Sequence, residues 1–329
     1  MSVGAGDRLS AALERLDIPH PDPADAAALT ARYRAAERPP GPLLRGEGER
    51  RAYALTRMPA TLAAAEAAMA EVAARWVGAR PQSLLDLGAG TGAMVWAART
   101  AFPTLTDLAA IERDAGMAAI GGDLTHLSGD EALAALRWTI GDLTATSFPP
   151  VDLVTIGYAL NELEPPALDR VVAQAFAAAR MGVIVIEAGS RRGFDAVRRA
   201  RALLIEVGGQ PVAPCPHALA CPMSDDDWCH MPTRFRRGTT HRRLVAGTLD
   251  HDIEKFSYVA VAKGELAARP AEARIVRAPM RRQGHVTLDL CRAGRLERLT
   301  VGKRDKPSYR AARQAGWGDA WPPEDETPR

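Results

Sequence analysis

Ser83-Leu84-Leu85-Asp86-Leu87-Gly88-Ala89-Gly90-Thr91-Gly92 is the stretch that decides the fold. A short apolar run ends in three alternating glycines, which reads as a buried strand passing into a tight turn. Glycine lets the backbone turn sharply there and approach a ligand closely. A helix over 92–101 follows. Further apolar runs recur at 108–112 (LAAIE), 137–142 (RWTIGD), 151–160 (VDLVTIGYAL) and 182–188 (GVIVIEA), with helical stretches between them, including 115–121 and 167–180. Strands alternating with helices predict a parallel sheet covered by helices on both faces.

The glycine spacing is G-x-G-x-G, and Asp86 stands two residues before the first glycine. A dinucleotide site calls for G-x-G-x-x-G. An acid at this place suits a ligand with a cationic amino-acid portion better than a diphosphate. The second strand ends in Glu112, whose carboxylate can accept both ribose hydroxyls. The third ends in Asp142, placed to receive an adenine amino group. Together these residues resemble the class I S-adenosylmethionine (SAM) methyltransferases over about residues 80–190. The resemblance implies a Rossmann-like α/β sheet, with SAM held at Asp86, Gly88, Gly90, Gly92, Glu112 and Asp142. The end of the fourth strand, Gly157-Tyr158-Ala159-Leu160-Asn161-Glu162-Leu163, lacks the Asn/Asp-Pro-Pro-aromatic motif of amino-methylating enzymes, and Pro165-Pro166 comes too late to supply it. Asn161 and Glu162 read either as substrate contacts or, the favoured reading, as the beginning of the next helix. No cysteine lies in this half to act as a nucleophile, so no catalytic residue is assigned.

On either side of this core the character of the chain changes. Residues 1–78 read as helical, broken at 18–23 (IPHPDP) and at a turn over 37–42 (ERPPGP), with one long helix over 55–77. The core spans 79–210 and closes with a helix over 194–208. Residues 211–329 form a cysteine-rich, basic extension containing β-structure. Residues 211–235 are rich in Pro, Cys and His without clear periodicity. KFSYVAVAK (255–263) is a strand able to pair with the core sheet. Short strands over 273–303 turn at Gln283-Gly284 and Ala293-Gly294, and 306–329 hold a short helix and an acidic tail.

All four cysteines fall in the extension: Cys215, Cys221 and Cys229 in a C-x5-C-x7-C array, then Cys291 on a predicted strand. So few cysteines in so long a chain make no disulfide scaffold. Clustered thiolates point to a metal centre. Structural zinc draws its ligands in pairs two to four residues apart. Iron–sulfur cages tolerate wider spacing and a remote fourth ligand. The spacing therefore favours iron–sulfur slightly and leaves zinc open; His217 and His230 are able to replace a cysteine ligand but read rather as neighbours of the ligands.

In order along the chain, LLDLGAGTGA (84–93), IERDAGM (111–117), DLVTIGYALNEL (152–163), IEAGSRRGF (186–194), APCPH (213–217), WCH (228–230), EKFSYVAVAK (254–263), LDLC (288–291) and WGDAW (317–321) resemble the Rsm/METTL family of methyltransferase-like proteins of the small ribosomal subunit, known from mitochondria and also found in bacteria. The resemblance implies a SAM-type fold, association with small-subunit rRNA in assembly or translation, and a [4Fe–4S] cluster on Cys215, Cys221, Cys229 and Cys291. After WCH the family pattern is an aromatic and then a basic or Gln-Arg pair. Met231-Pro232-Thr233-Arg234 departs from it.

Charge supports a polyanionic partner. The 329 residues carry a net charge of +2, yet residues 1–190 hold 16 basic and 23 acidic side chains, against 25 and 13 in residues 191–313. A basic half suits nucleic acid. Arg234, Arg236, Arg237, Arg242 and Arg243 flank the cysteines on one side and Arg281, Arg282, Arg292 and Arg295 on the other. Trp228, Phe235 and Tyr258 are interleaved with them as candidate base-stacking groups, although Tyr258 also fits a core position in its strand. No apolar run approaches the ~20 residues that span a bilayer, and the N-terminal residues lack an apolar signal core. The expectation is a cytoplasmic protein that is a monomer when free. Three functions remain: a non-catalytic assembly factor, an rRNA methyltransferase, or a zinc-stabilised methyltransferase with a non-RNA substrate.

Overall fold

A computed structural model of the chain describes residues 4–34, 43–245, 247–264 and 268–323. The expected turn at 37–42 falls outside these residues, as does the end of the acidic tail. The N-terminal region folds as α1 (Ala5–Arg15), α2 (Pro23–Arg34), α3 (Glu47–Thr56) and α4 (Met58–Arg75). The single helix expected over 55–77 is divided between α3 and α4. Pro59 lies in the first turn of α4, where its missing N–H costs nothing, whereas a helix running through it would lose a hydrogen bond and clash with the preceding turn. Ten residues of α4 are buried, because it packs against α5 and against the sheet through β6, β7 and β8.

The core continues with β1 (Ser83–Leu87), α5 (Ala93–Ala101), β2 (Asp107–Glu112), α6 (Ala115–His126), α7 (Glu131–Ala134), β3 (Arg137–Ile140), β4 (Val151–Gly157), α8 (Pro165–Ala178), β5 (Ala179–Ala188), α9 (Arg191–Glu206), β6 (Gln210–Ala213), β7 (Met231–Arg236), α10 (Thr239–Leu244) and β8 (His251–Ala262). The strands lie in the order β3-β2-β1-β4-β5-β8-β6. β1 to β5 are parallel, and β8 runs antiparallel to β5. This is the class I methyltransferase sheet.

β8 is the long strand, and its two edges differ. Along one edge Phe256–Ala262 pairs with β5. The other edge is shared: β6 takes Ala260–Ala262 and β7 takes His251–Phe256. The cysteine-bearing loop therefore leaves the sheet between β6 and β7. β7 is an edge strand not evident in the sequence, where Pro232 and two arginines mask it. An edge position tolerates a proline.

Beyond β8 a second, five-stranded sheet forms from β9 (Ala273–Ile275), β10 (Met280–Arg282), β11 (His285–Arg292), β12 (Arg295–Gly302) and β13 (Ala320–Trp321), with α11 (Lys306–Gln314) against it. Its turns fall where the sequence expects them, with Gly284 and Gly294 at positive φ. Val286, Leu288, Leu290, Ile275 and Trp321 form its core together with Ala312 of α11. Among the described residues no helix is long and apolar enough to cross a membrane.

Candidate functional site

The cleft opens at the carboxyl ends of β1, β2 and β4, where α/β sheets bind ligands. Gly88, Gly90, Glu112, Asp142 and Tyr158 line it together with Tyr53 of α3. Gly88 has φ +69°, and a Cβ there would lie 2.6 Å from the Cβ of Ala159. The loop is held from below by Glu112. One carboxylate oxygen accepts the Gly90 N–H at 2.8 Å, and the other accepts the Asp114 N–H at 2.8 Å. Burial nevertheless raises the pKa of Glu112. Asp142 accepts from both the N–H and the hydroxyl of Thr144, at 2.7 and 2.6 Å, and these bonds lower its pKa. Asp114 caps α6 and receives the Arg50 Nε–H at 2.7 Å, which ties α3 over the cleft.

Two of the six residues expected to hold SAM stand behind the cleft wall. Gly92 caps α5 and faces Trp138. Asp86 is fully buried within β1, does not line the cleft, and accepts the Thr155 hydroxyl at 2.8 Å. Its other oxygen is buried and finds no partner among the described residues. Burial raises its pKa to about 7. The reason is position: Glu112 is the last residue of β2 and projects past the sheet, whereas Asp86 is the penultimate residue of β1 and pairs across to Thr155 of β4.

At the end of β4, Tyr158 takes a left-handed conformation, φ 57°. Leu160–Glu162 form a separate 3-10 turn ahead of α8. Glu187 of β5 is fully buried beside this turn, with its pKa raised to about 7 by burial. It accepts the Leu160 N–H at 2.7 Å, the Asn161 N–H at 3.2 Å and the Asn161 side-chain amide. Asn161 is thus engaged by Glu187, and Glu162 by Arg113. The sequence reading missed Tyr158 and its neighbour Glu254, whose Oε1 lies 3.5 Å from the Tyr158 hydroxyl and 3.2 Å from Arg57 Nη2. Nothing in the local pattern signals this long-range contact.

Cys215, Cys221, Cys229 and Cys291 line a second cavity. None forms a disulfide. Among the described residues no group of three or more His, Cys, Asp or Glu side chains is disposed to hold a metal ion. Burial pushes the thiols of Cys215, Cys229 and Cys291 up, Cys291 to about 12. The loop is fastened to the rest of the fold at many points. Arg201 of α9 donates to the carbonyls of His217 and Leu219 and to the Cys215 sulfur. Arg274 of β9 donates to Pro214 O at 2.9 Å, Gly318 O at 2.9 Å and Glu71 of α4 at 2.6 Å. Arg277 grips Asp227, Trp228 Nε1–H donates to Gly189 O at 3.0 Å, and the Ser257 hydroxyl donates to Cys229 O at 2.7 Å. His217 Nε2 stands 3.4 Å from Cys291 Sγ. His230 packs between Trp228 and Trp317.

The basic groups divide. Arg237 pairs with Asp252, Arg292 with Glu272, and Arg281 donates to the carbonyls of Arg313 and Ala315. Arg234 and Arg236 are exposed, and the β7–β8 register sets them on one face with His251, Ile253 and Lys255. The aromatics do not join that face. Phe235 and Tyr258 are buried, and the Trp228 indole is engaged by Gly189.

A family model described as "Mitochondrial small ribosomal subunit Rsm22" matches residues 48–322. The chain belongs to the Rsm22 family. It is 28% identical over 293 residues to the human protein named "Ribosome assembly protein METTL17, mitochondrial", covering 84% of this chain and 63% of that one. It is 26% identical over 296 residues to the fission yeast "Rsm22-cox11 tandem protein 2, mitochondrial", covering 75% of this chain and 39% of that one. The chain thus spans less than two thirds of the length of these Rsm22-family relatives. Among solved structures it is similar to the magnesium protoporphyrin IX methyltransferase of Synechocystis with bound SAH, at 12% identity and a TM-score of 0.40, over 62% of this chain and 84% of that one.

Proposed function

We propose that this chain is a SAM-binding, methyltransferase-like assembly protein of the small ribosomal subunit, with a [4Fe–4S] cluster on Cys215, Cys221, Cys229 and Cys291 and an rRNA contact through its basic half. The observation that carries the reading is the convergence of four thiols, from two distant segments, on one cavity in a chain of this family. A single zinc needs four sulfurs at about 2.3 Å from one point. The cysteines lack the close pairs usual in structural zinc sites, and their wide spacing with a remote fourth member suits an iron–sulfur cluster better. When bound, the cluster supplies a rigid, redox-capable cross-link. The chain's own part is to hold the sulfurs: Cys291 carries the second sheet to the loop, Arg201 and Arg274 fix the loop's backbone, and Arg277 grips its Asp227 carboxylate.

The cleft supports SAM binding through close backbone approach at Gly88 and Gly90 and through acceptors on Glu112 and Asp142. With Asn161 engaged by Glu187 and Glu162 by Arg113, the strand-four segment presents no free base. Any methyl transfer then depends on positioning by assembled RNA, which favours the scaffold role over the enzyme. For the RNA contact, Arg234, Arg236 and Lys255 on the β7–β8 face supply phosphate-binding cations. Free thiols suit a reducing cytoplasm.

Crosslinking in cells, with sequencing of the bound RNA, tests this function. Enrichment of small-subunit rRNA fragments is expected, and their absence overturns it. Labelled methyl groups from SAM appearing in those fragments would instead establish the enzyme.

A further inference from the structure

Two arginines face the four-cysteine cavity from inside the protein, and they differ in what neutralises them. Arg274 is 2% exposed and meets the Glu71 carboxylate at 2.6 Å. Arg201 is 5% exposed, and among the described residues its partners are a sulfur and two carbonyls, with no carboxylate. Its Nη2 donates to His217 O at 2.7 Å and Leu219 O at 2.8 Å, and its Nε–H points at Cys215 Sγ, 3.2 Å away. Guanidinium stays charged at every accessible pH. A buried charge needs an opposite charge as well as hydrogen bonds. Two carbonyl dipoles and a neutral thiol do not provide one.

We propose that Arg201 is the counter-cation and positioning residue of an anionic centre built on the four cysteines. This inference rests on the cluster reading above. A [4Fe–4S] core on four thiolates is net anionic in both of its common oxidation states, and it supplies the charge that Arg201 lacks. The same side chain holds the backbone of the 217–219 turn, so charge and loop geometry are set together from α9. Arg274 has a carboxylate partner in Glu71, which it shares with Arg75, and it also fastens Pro214.

The full chain, purified anaerobically, is assayed for iron and sulfide and then reduced stepwise with dithionite in a potentiometric titration. A positive charge beside the cluster favours its reduced, more negative state. Arg201→Gln is expected to lower the midpoint by about 59 mV, a tenfold change in the one-electron equilibrium. Arg201→Lys keeps the charge and is expected to stay within twofold, about 18 mV by the same constant. Should Arg201→Gln hold no iron, retention by Arg201→Lys supports the charge requirement, and loss in both overturns it. An unshifted midpoint in a loaded Arg201→Gln variant overturns the role of Arg201 alone. A wild-type protein without iron and sulfide overturns the cluster reading itself.

Discussion

The SAM-type cleft and the cysteine cavity are built in opposite ways. The cleft is assembled from consecutive strand ends. Gly88 and Gly90 follow β1, Glu112 ends β2, and Asp142 follows β3, so the parallel sheet aligns them as it forms. The cysteine cavity is assembled across topology. Its cysteines come from an excursion between two edge strands and from a strand of the second sheet, and its walls from α9 and β9. The contrast shows that a site can be local in sequence and robust, or distributed and dependent on whatever joins its parts. The cavity is where the two sheets are tied to each other.

The sharpest way to break the comparison is Cys291→Ser. Cys291 is the one cysteine of the cavity supplied by the second sheet, so under the proposed cluster its loss is expected to abolish iron binding and release the sheet from the loop, because metal binding and folding are coupled in such sites. Iron analysis and hydrogen exchange over 273–303 check this, and the cleft should be spared. A variant that keeps its iron contradicts the distributed picture. Gly88→Val is the converse lesion. A Cβ 2.6 Å from Ala159 at φ +69° cannot be accommodated without moving the loop, so calorimetric SAM binding should vanish while the iron content is unchanged.

Asp86 gives a pH test of the cleft's foundation. Its pKa rises in the folded state from the ordinary 3.8 to about 7. The folded state therefore holds the proton more tightly, and this stabilisation is complete below about pH 4 and is lost as pH rises toward 7. The loss amounts to about 4 kcal/mol at most. Asp86→Asn, neutral throughout, is expected to flatten the fall in denaturation midpoint across that window, and an unchanged slope would argue against a buried proton at this position. Glu112→Ala is smaller: losing a charged acceptor weakens SAM binding by about 1.5–3 kcal/mol, roughly ten- to a hundredfold. Glu112 also holds the Gly90 and Asp114 amides, so part of that loss acts through the loop.

The same contrast explains what could be read from the sequence. The β1–glycine loop–α5 unit was legible because strand, turn and helix signals are contiguous in one short stretch, and the parallel sheet followed from the alternation of strands and helices. The orientation of Asp86 was not, since one residue of difference from the strand's end decides whether a carboxylate overhangs the cleft or sits inside the sheet. The α3–α4 break hid in an Ala-rich run whose propensity is helical on both sides of Pro59. β7 was hidden because an edge strand with one face in solvent carries arginines and a proline where a core strand carries valines. The four cysteines stood out by residue type, but Arg201, Arg274 and Arg277 were indistinguishable from other arginines. Their role comes from contacts such as Arg274 to Pro214, 60 residues apart. The expected aromatic and basic interleaving failed for a related reason: strand alternation turns Phe235 inward while Arg234 and Arg236 face out.

Metal and sulfide analysis of the full chain, purified without oxygen, tests the central claim most directly. The account predicts a brown protein with about four irons and four acid-labile sulfides per chain. A colourless protein carrying stoichiometric zinc would contradict it.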